Sequence, residues 1–314
     1  MVPGIVGKLN IIKRWAKMVT GNSVFHMRQC EGKYYEKGSI KGYYSDLRHK
    51  VAGAALIDDN GVPYNETNRG EHIYFAITIF QYGLGSYDLY LETRNETYKE
   101  KLFVTVKWAI ENQQKDGSWN AFGWSTPETP YSSMAQSEGA SLLCRAYKES
   151  GNKKYLQSAE KAVRFMLKPV EQGGTAYYKN GQITLEEAFD ELTILNGMMF
   201  SIWGLYDICT ILDNKELKRN LDITVNTLAD ILVKYDRGYW SNYDLNGNIA
   251  SPFYHDLHLE QLKVMVNLFG NKQFEERLNK WEKYQNSCFK SKRAFVVKAM
   301  QKLRKIDDEI ALVK

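Results

Sequence analysis

The chain is read as mainly α, an (α/α) toroid of paired antiparallel helices with a short β or irregular N-terminal extension and β-hairpin loops at the cleft. Three observations predict this. From Ile73 onward, apolar residues recur at helical spacing almost without interruption. The helices come in successive pairs, and long loops rich in Trp and Tyr follow every second helix. An all-α solenoid shares the pattern. No compositional break divides the helical part, so residues 1–70 are assigned to the extension and residues 71–314 to one helical domain.

The elements follow in order. The first fifty residues are basic and irregular, with a short helix expected near Ile11 to Met18. Gly42 to Lys50 and Val51 to Tyr64 alternate apolar residues with turn signals such as Asn60-Gly61, and read as short strands or extended loops. Ile73 to Tyr87 and Lys99 to Gln114 form the first helix pair. Lys115 to Tyr131 is a long aromatic loop. Ser132 to Glu149 and Lys154 to Leu167 form the second pair, and Gly173 to Gly181 a turn-rich hairpin. After Leu185 to Glu191 come helices at Thr193 to Leu212 and Lys215 to Lys234. A Gly-, Asn- and Asp-rich loop spans Tyr235 to Ser251, before helices at Asp256 to Gly270, Phe274 to Tyr284 and Arg293 to Ile310.

Composition narrows the function classes. The 314 residues are 44% hydrophobic and 25% charged, normal for a globular protein, but 13% are aromatic, with 21 Tyr and 7 Trp. Such rings suit sugar-binding clefts as well as Tyr-rich cores. The net charge of +5 is modest and partly terminal, in Lys8 to Lys17 and Lys290 to Lys305. It reads as solvated helix faces or as attraction to an acidic polymer. No nucleic-acid motif accompanies it. Cys30, Cys144, Cys209 and Cys288 show no metal-ligand spacing and no disulfide framework, which fits a reducing compartment. No apolar run reaches signal-peptide or transmembrane length, so a cytoplasmic, bacterial-type protein without an integral membrane segment is expected.

The candidate site centres on Tyr254-His255 and His258. With a helix starting near Asp256, they fall at its N-terminus, where backbone N–H groups favour an anionic ligand such as a carboxylate. The alternative is a pair of ordinary helix-start histidines under a tyrosine-sealed loop.

A series of short motifs then resembles a known family. FAITIFQYGLGSY (Phe75–Tyr87), NQQKDGSW (Asn112–Trp119), PYSSMAQSEGASLLCRAY (Pro130–Tyr147), EEAFDELTILNGMMFSIWGLYD (Glu186–Asp207), YWSNYDL (Tyr239–Leu245) and FYHDLHLEQL (Phe253–Leu262) follow one another. Their order and spacing resemble the C-terminal domain of the D-glucuronyl C5-epimerases, over about Gly42 to Tyr284. The resemblance implies a helical toroid that converts glucuronate to iduronate in heparosan-like or capsular polymers, with no metal or nucleotide cofactor. It implies an acidic polysaccharide partner, and family members are often dimers. The C-terminal helix, Phe295 to Ile310, could serve a homodimer or pack on its own domain.

The reaction removes the C5 proton alpha to a carboxylate and returns one to the other face. The carboxylate needs cations or hydrogen-bond donors to make the dianionic intermediate accessible. Two acid/base groups must flank C5, with a carboxyl pKa raised by burial or a tyrosine pKa lowered by positive charge. By the resemblance, Tyr254 is the catalytic tyrosine, Glu187 the catalytic glutamate and Tyr243 the second tyrosine. Glu186, Asp190 or Glu191 could take the place of Glu187, because the motif spacing here is shorter than the family's. Where the family has Arg-His after its Tyr-Asp-Leu, this chain has Asn246-Gly247. Arg48 or His49 could supply the missing cation. Gln136, Asn196, His255, His258 and Glu186 are the remaining expected substrate contacts. A polysaccharide lyase, a hydrolase and a non-catalytic acidic-polysaccharide binder are the competing readings.

Overall fold

The computed structural model describes residues 27–52, 56–187, 193–304 and 312. The helix expected at Ile11 to Met18, and Asp190, Glu191 and Ile310, lie outside the described residues.

Ten helices account for most of the described chain. They are α1 (Arg48–Ala52), α2 (Ala76–Thr93), α3 (Glu96–Asn112), α4 (Ser133–Ser150) and α5 (Lys153–Met166). They continue with α6 (Leu195–Ile211), α7 (Lys215–Ile231), α8 (Pro252–Phe269), α9 (Lys272–Gln285) and α10 (Cys288–Arg304). Helices α2, α4, α6 and α8 pack side by side in that order, and each is backed by its successor in sequence: α3, α5, α7 and α9. The division follows composition. Helix α6 is apolar on nearly every side and almost wholly buried, whereas α5 and α7 carry one apolar stripe and a polar outer face. The architecture is the expected toroid of paired antiparallel helices.

Small residues set the spacing of the inner helices. The Ser137 hydroxyl donates to the Phe200 carbonyl at 2.6 Å and accepts from the Gly204 N–H at 2.9 Å. A Cβ on Gly204 would come within 2.3 Å of that hydroxyl, so α4 and α6 approach this closely only because position 204 is glycine. Deeper along the same contact, Arg145 and Asp207 form an ion pair at 2.7 Å with neither side chain exposed.

The N-terminal segment is a strap across the ring. The Glu31 N–H donates to Glu260 on α8, Lys33 and Arg48 pair with Glu92 on α2, and the Gly38 N–H donates to the Tyr206 hydroxyl on α6. Its Gly42–Tyr44 stretch closes one end of the bore. The Tyr43 N–H donates to Asp88, the Tyr44 hydroxyl to Asp207 at 2.6 Å, and Arg145 to the Gly42 carbonyl. Part of this segment differs from expectation. Arg48 to Ala52, read as extended, is a short helix seated on α2, where a Cβ at Gly85 would lie 2.3 Å from the Leu47 carbonyl oxygen. The turn at Asn60-Gly61 does join two strands, β1 (Leu56–Ile57) and β2 (Pro63–Glu66), and β3 (His72–Ile73) pairs antiparallel with β2. A second hairpin, β4 (Ala176–Lys179) and β5 (Gln182–Leu185), turns at Asn180-Gly181, both at positive φ as a type I′ turn requires.

Two helix boundaries also move. Helix α8 starts at Pro252, capped by Ser251, whose hydroxyl accepts from the Tyr254 N–H. Proline fixes φ for a first helical residue, and this brings Tyr254 into the first turn rather than ahead of it. Helix α10 starts at Cys288, and its described part packs on its own domain. Arg293 lies 4.0 Å over the Tyr239 ring, and Gln301 bonds the backbone at Gly247 and Ile249. No helix of the described residues is long and apolar enough to cross a membrane.

Candidate active site

The N-terminal ends of the inner helices gather the loops that carry the expected residues. The loop before α6 is fixed by Glu186. Its carboxylate accepts from the Thr193 N–H at 2.8 Å and the Thr193 hydroxyl at 2.7 Å. Its backbone bonds Thr175 and Ser133. Thr193 has a φ of 36°, an unfavourable region for a β-branched residue. Two bonds from Glu186 and one from the Tyr235 hydroxyl to the Thr193 carbonyl hold it there. Glu186 is therefore 2% exposed and engaged in holding the loop, which corrects its assignment as a substrate contact.

Glu187, the next residue, turns the other way. Its carboxylate lies over Gly197 in the first turn of α6, so close that a Cβ there would meet Glu187 Oε2 at 2.3 Å and Glu187 Cβ at 2.7 Å. Asn196 Nδ2 approaches Oε2 at 3.5 Å. Burial first, and the neighbouring Glu186 charge second, push the Glu187 carboxyl up to about 7.

The loop between α7 and α8 brings two tyrosines to the same place. The Tyr243 carbonyl accepts from the Leu195 N–H at 3.0 Å and its N–H donates to the Asn248 carbonyl, so its backbone is tied to the start of α6. Its ring sits 4.7 Å from that of Tyr254, centroid to centroid, at 59°. Burial, then Tyr254 and the Glu187 charge, raise the Tyr243 phenol well above its ordinary value. A tyrosine pKa lowered by positive charge was one of the sequence expectations. Tyr243 goes the other way, although Lys298 of α10 stands 5.7 Å from its ring centroid, because desolvation dominates. Glu187, Tyr243, Tyr254 and Asn196 thus come together from three separate stretches.

Other expected contacts do not join them. His255 and His258 are fully buried on the α9 side of α8. The Ser241 hydroxyl lies 2.8 and 3.0 Å from their Nδ1 atoms, His255 stacks on Trp240 at 3.7 Å, and both rings adjoin Trp281. Burial lowers both imidazoles, His255 to about 3, so they are neutral packing groups. Gln136 is spent on Trp119, accepting from its N–H at 3.0 Å and donating to its carbonyl at 3.1 Å. Arg48 is gripped by Asp46 of the strap and Glu92 of α2. These placements correct the assignment of His255, His258, Gln136 and Arg48 to substrate. Gln136 and Arg48 are engaged by local partners, and the two histidines are held through Nδ1 by Ser241 among packed aromatic rings.

Sequence reasoning missed a second group midway along the bore. Glu138 of α4 is fully buried and its Oε1 accepts from Gln81 Nε2 of α2 at 3.0 Å. Lys50 of α1 lies within electrostatic range of it. The available signal was Gln81 among the apolar residues of α2 and Glu138 among the small residues Ser137, Gly139, Ala140 and Ser141 of α4. The surface cavity lined by Gly38–Ile40, Tyr147, Lys148, Thr210 and Ile211 lies at the opposite, C-terminal ends of α4 and α6. No cluster of metal-ligand type occurs among the described residues.

The fold and the clustered groups define a helical toroid with a buried carboxyl and two phenols gathered at the N-terminal ends of its inner helices. The D-glucuronyl C5-epimerase C-terminus family matches residues 100–283, and the chain belongs to that family. It is 27% identical over 226 residues to the D-glucuronyl C5-epimerase of Caenorhabditis elegans, covering 61% of this chain and 36% of that protein. It is also 27% identical over 154 residues to an uncharacterized protein of Methanocaldococcus jannaschii, covering 47% of this chain and 50% of that one. The chain thus spans half or less of the length of these curated relatives. Among solved structures, the Lin0763 protein of Listeria innocua shares the fold with a TM-score of 0.52 at 12% identity, covering 73% of each chain.

Proposed function

We propose that the protein is a polysaccharide uronate C5-epimerase, converting D-glucuronate to L-iduronate residues in a heparosan-like or capsular polymer. The observation that carries this reading is the convergence of Glu187 with Tyr243 and Tyr254 in a chain of the glucuronyl epimerase family. In the reaction the ionised Glu187 carboxylate takes the C5 proton, and the electron pair of the broken C–H bond passes into the substrate carboxylate as an enediolate. The Tyr254 phenol returns a proton to C5 from the opposite face. The enediolate collapses to the inverted uronate, and proton exchange with water restores Glu187 and Tyr254. A carboxyl pushed up to about 7 is a stronger base than an ordinary glutamate while remaining largely ionised just above neutrality. Tyr243, kept protonated by burial, donates toward Tyr254 and supports the phenolate that forms there.

The test is NMR of heparosan and N-sulfated heparosan incubated with the protein in D₂O, with a Tyr254→Phe control. Deuterium at C5 together with iduronate signals supports epimerisation. An unsaturated product end instead assigns a lyase, in which the same C5 abstraction is followed by loss of the C4 substituent. No exchange on either polymer, or on a panel of bacterial capsule polysaccharides, refutes the proposed activity.

A further inference from the structure

The inner helices carry polar residues one heptad apart on a shared stripe: Gln81 and Asp88 on α2, Glu138 and Arg145 on α4, Asn196 and Trp203 on α6, Tyr254 and Gln261 on α8. At the strap end Asp88 accepts from the Tyr43 N–H, and Arg145 pairs with Asp207 and donates to the Gly42 carbonyl, leaving only its Nε unmatched. Along the same bore, Glu138 Oε2, Trp203 Nε1, Asn196 Oδ1, Gln261 Oε1 and the Tyr43 hydroxyl are buried without a hydrogen-bond partner. Native interiors rarely leave so many polar atoms of one region unmatched, and a polar ligand entering the bore would match them.

Resting on the epimerase reading, we propose that Lys50 and the Glu138 carboxyl group form the floor that holds the uronate carboxylate, Lys50 as counter-charge and Glu138 as hydrogen-bond donor through Oε2. Gln81 donates to Glu138 Oε1, so that oxygen is the acceptor and the proton of a neutral carboxyl resides on Oε2. The short helix α1 delivers Lys50 to the same level. It seats on Gly85, one turn from Gln81 on the same face of α2.

The surrounding groups fit a donor floor. Burial raises Glu138 to about 8, with the Glu187 charge adding to the rise while Gln81 and Lys50 oppose it. Burial lowers Lys50 to about 8, against the attraction of Glu138. Tyr43 stays a neutral phenol, raised by burial and by Glu138. A carboxylate has acceptor oxygens only, and two ionised glutamates would repel it. A protonated Glu138 beside a charged Lys50 attracts it and stabilises the extra charge of the enediolate. The cation absent from the loop at Asn246-Gly247 is then supplied from the strap, two residues beyond Arg48.

The experiment is calorimetric titration at pH 7 of wild type, Lys50→Met, Glu138→Gln and Glu138→Leu with a heparosan tetrasaccharide and with its carboxyl-reduced counterpart. Wild type is expected to prefer the acidic sugar. Lys50→Met loses about tenfold or more of that affinity and none for the reduced sugar. Glu138→Gln, whose amide still donates, stays within about threefold of wild type, whereas Glu138→Leu falls with Lys50→Met. Raising the pH from 7 to 9 weakens wild type more than Glu138→Gln, because only wild type ionises at position 138. The floor is overturned if Lys50→Met binds the acidic sugar like wild type or loses both sugars alike. It is equally overturned if wild type does not distinguish the two, or if Glu138→Gln binds as poorly as Glu138→Leu. Charge-dependent binding without C5 exchange would instead refute the reaction and leave the floor standing.

Discussion

Tyr243 and Tyr254 face each other with ring centroids 4.7 Å apart, one from the loop that caps α6 and the other from the first turn of α8. The contact makes the two phenols unequal. Tyr243 is held by its backbone to Leu195 and Asn248, and its phenol is raised by burial, so it keeps its proton. Tyr254→Phe is expected to lower C5 deuterium exchange by about 10² or more, the usual worth of a positioned acid. Tyr243→Phe is expected to cost less and to leave substrate affinity near wild type. Equal losses in both would contradict the division of labour.

The pH profile reports Glu187. In the proposed reaction it must be ionised to take the C5 proton, so kcat is expected to climb as pH rises through about 7, the value to which burial lifts it. Glu187→Gln should reduce exchange by about 10² to 10⁴ and abolish that ascending limb. An ascending limb near the ordinary glutamate range, with Glu187→Gln active, would exclude Glu187 as the base.

Gly197 offers a substitution that separates activity from stability. Alanine has the better helix propensity by about 1 kcal/mol, but its Cβ would require Glu187 to move at both Oε2 and Cβ. Gly197→Ala is therefore expected to keep its helix content while losing about tenfold or more of exchange activity, since misplacement of a base by an ångström is costly. Unchanged activity would show that Glu187 can act from a displaced position.

The Arg145–Asp207 pair predicts a stability effect outside the chemistry. Both side chains are fully buried, Asp207 also accepts from Tyr44, and Arg145 also donates to Ser141 and Gly42. Asp207→Asn or Arg145→Met should each destabilise the fold by about 3 to 5 kcal/mol in denaturant titration. The double replacement Arg145→Met with Asp207→Leu should cost less than the sum, because neither charge is left buried alone.

His255 and His258 set an acid limit. Their folded pKa values lie below the ordinary histidine value, so the unfolded chain binds more protons below about pH 6.5. Stability contributed by the neutral pair is present above that pH and is lost as pH falls toward about 3. Imidazole NMR signals of both residues that stay constant between pH 8 and 5 would agree. A titration midpoint near 6.5 for either would place it in solvent, against the stacked geometry.

The sequence by itself determined the helical pairing, and it named the three residues Glu187, Tyr243 and Tyr254 that come together in the fold. Periodicity in the inner and outer helices and the order of short motifs are local properties, visible along one strand of text. It also marked the turn at Asn60-Gly61, where the positive φ of Gly61 restricts residue choice. What only the tertiary structure decided is which hydrogen-bonding side chains are already engaged. Gln136, Glu186, His255, His258 and Arg48 look like binding groups in sequence, yet each is committed to a partner in the fold: Trp119, Thr193, Ser241 or Asp46. Glu138, Gln81 and Lys50 look like stray polar residues and meet only because the inner helices and the strap converge on one bore. Satisfaction of a polar group depends on distances across the chain, and a linear pattern carries none of those distances.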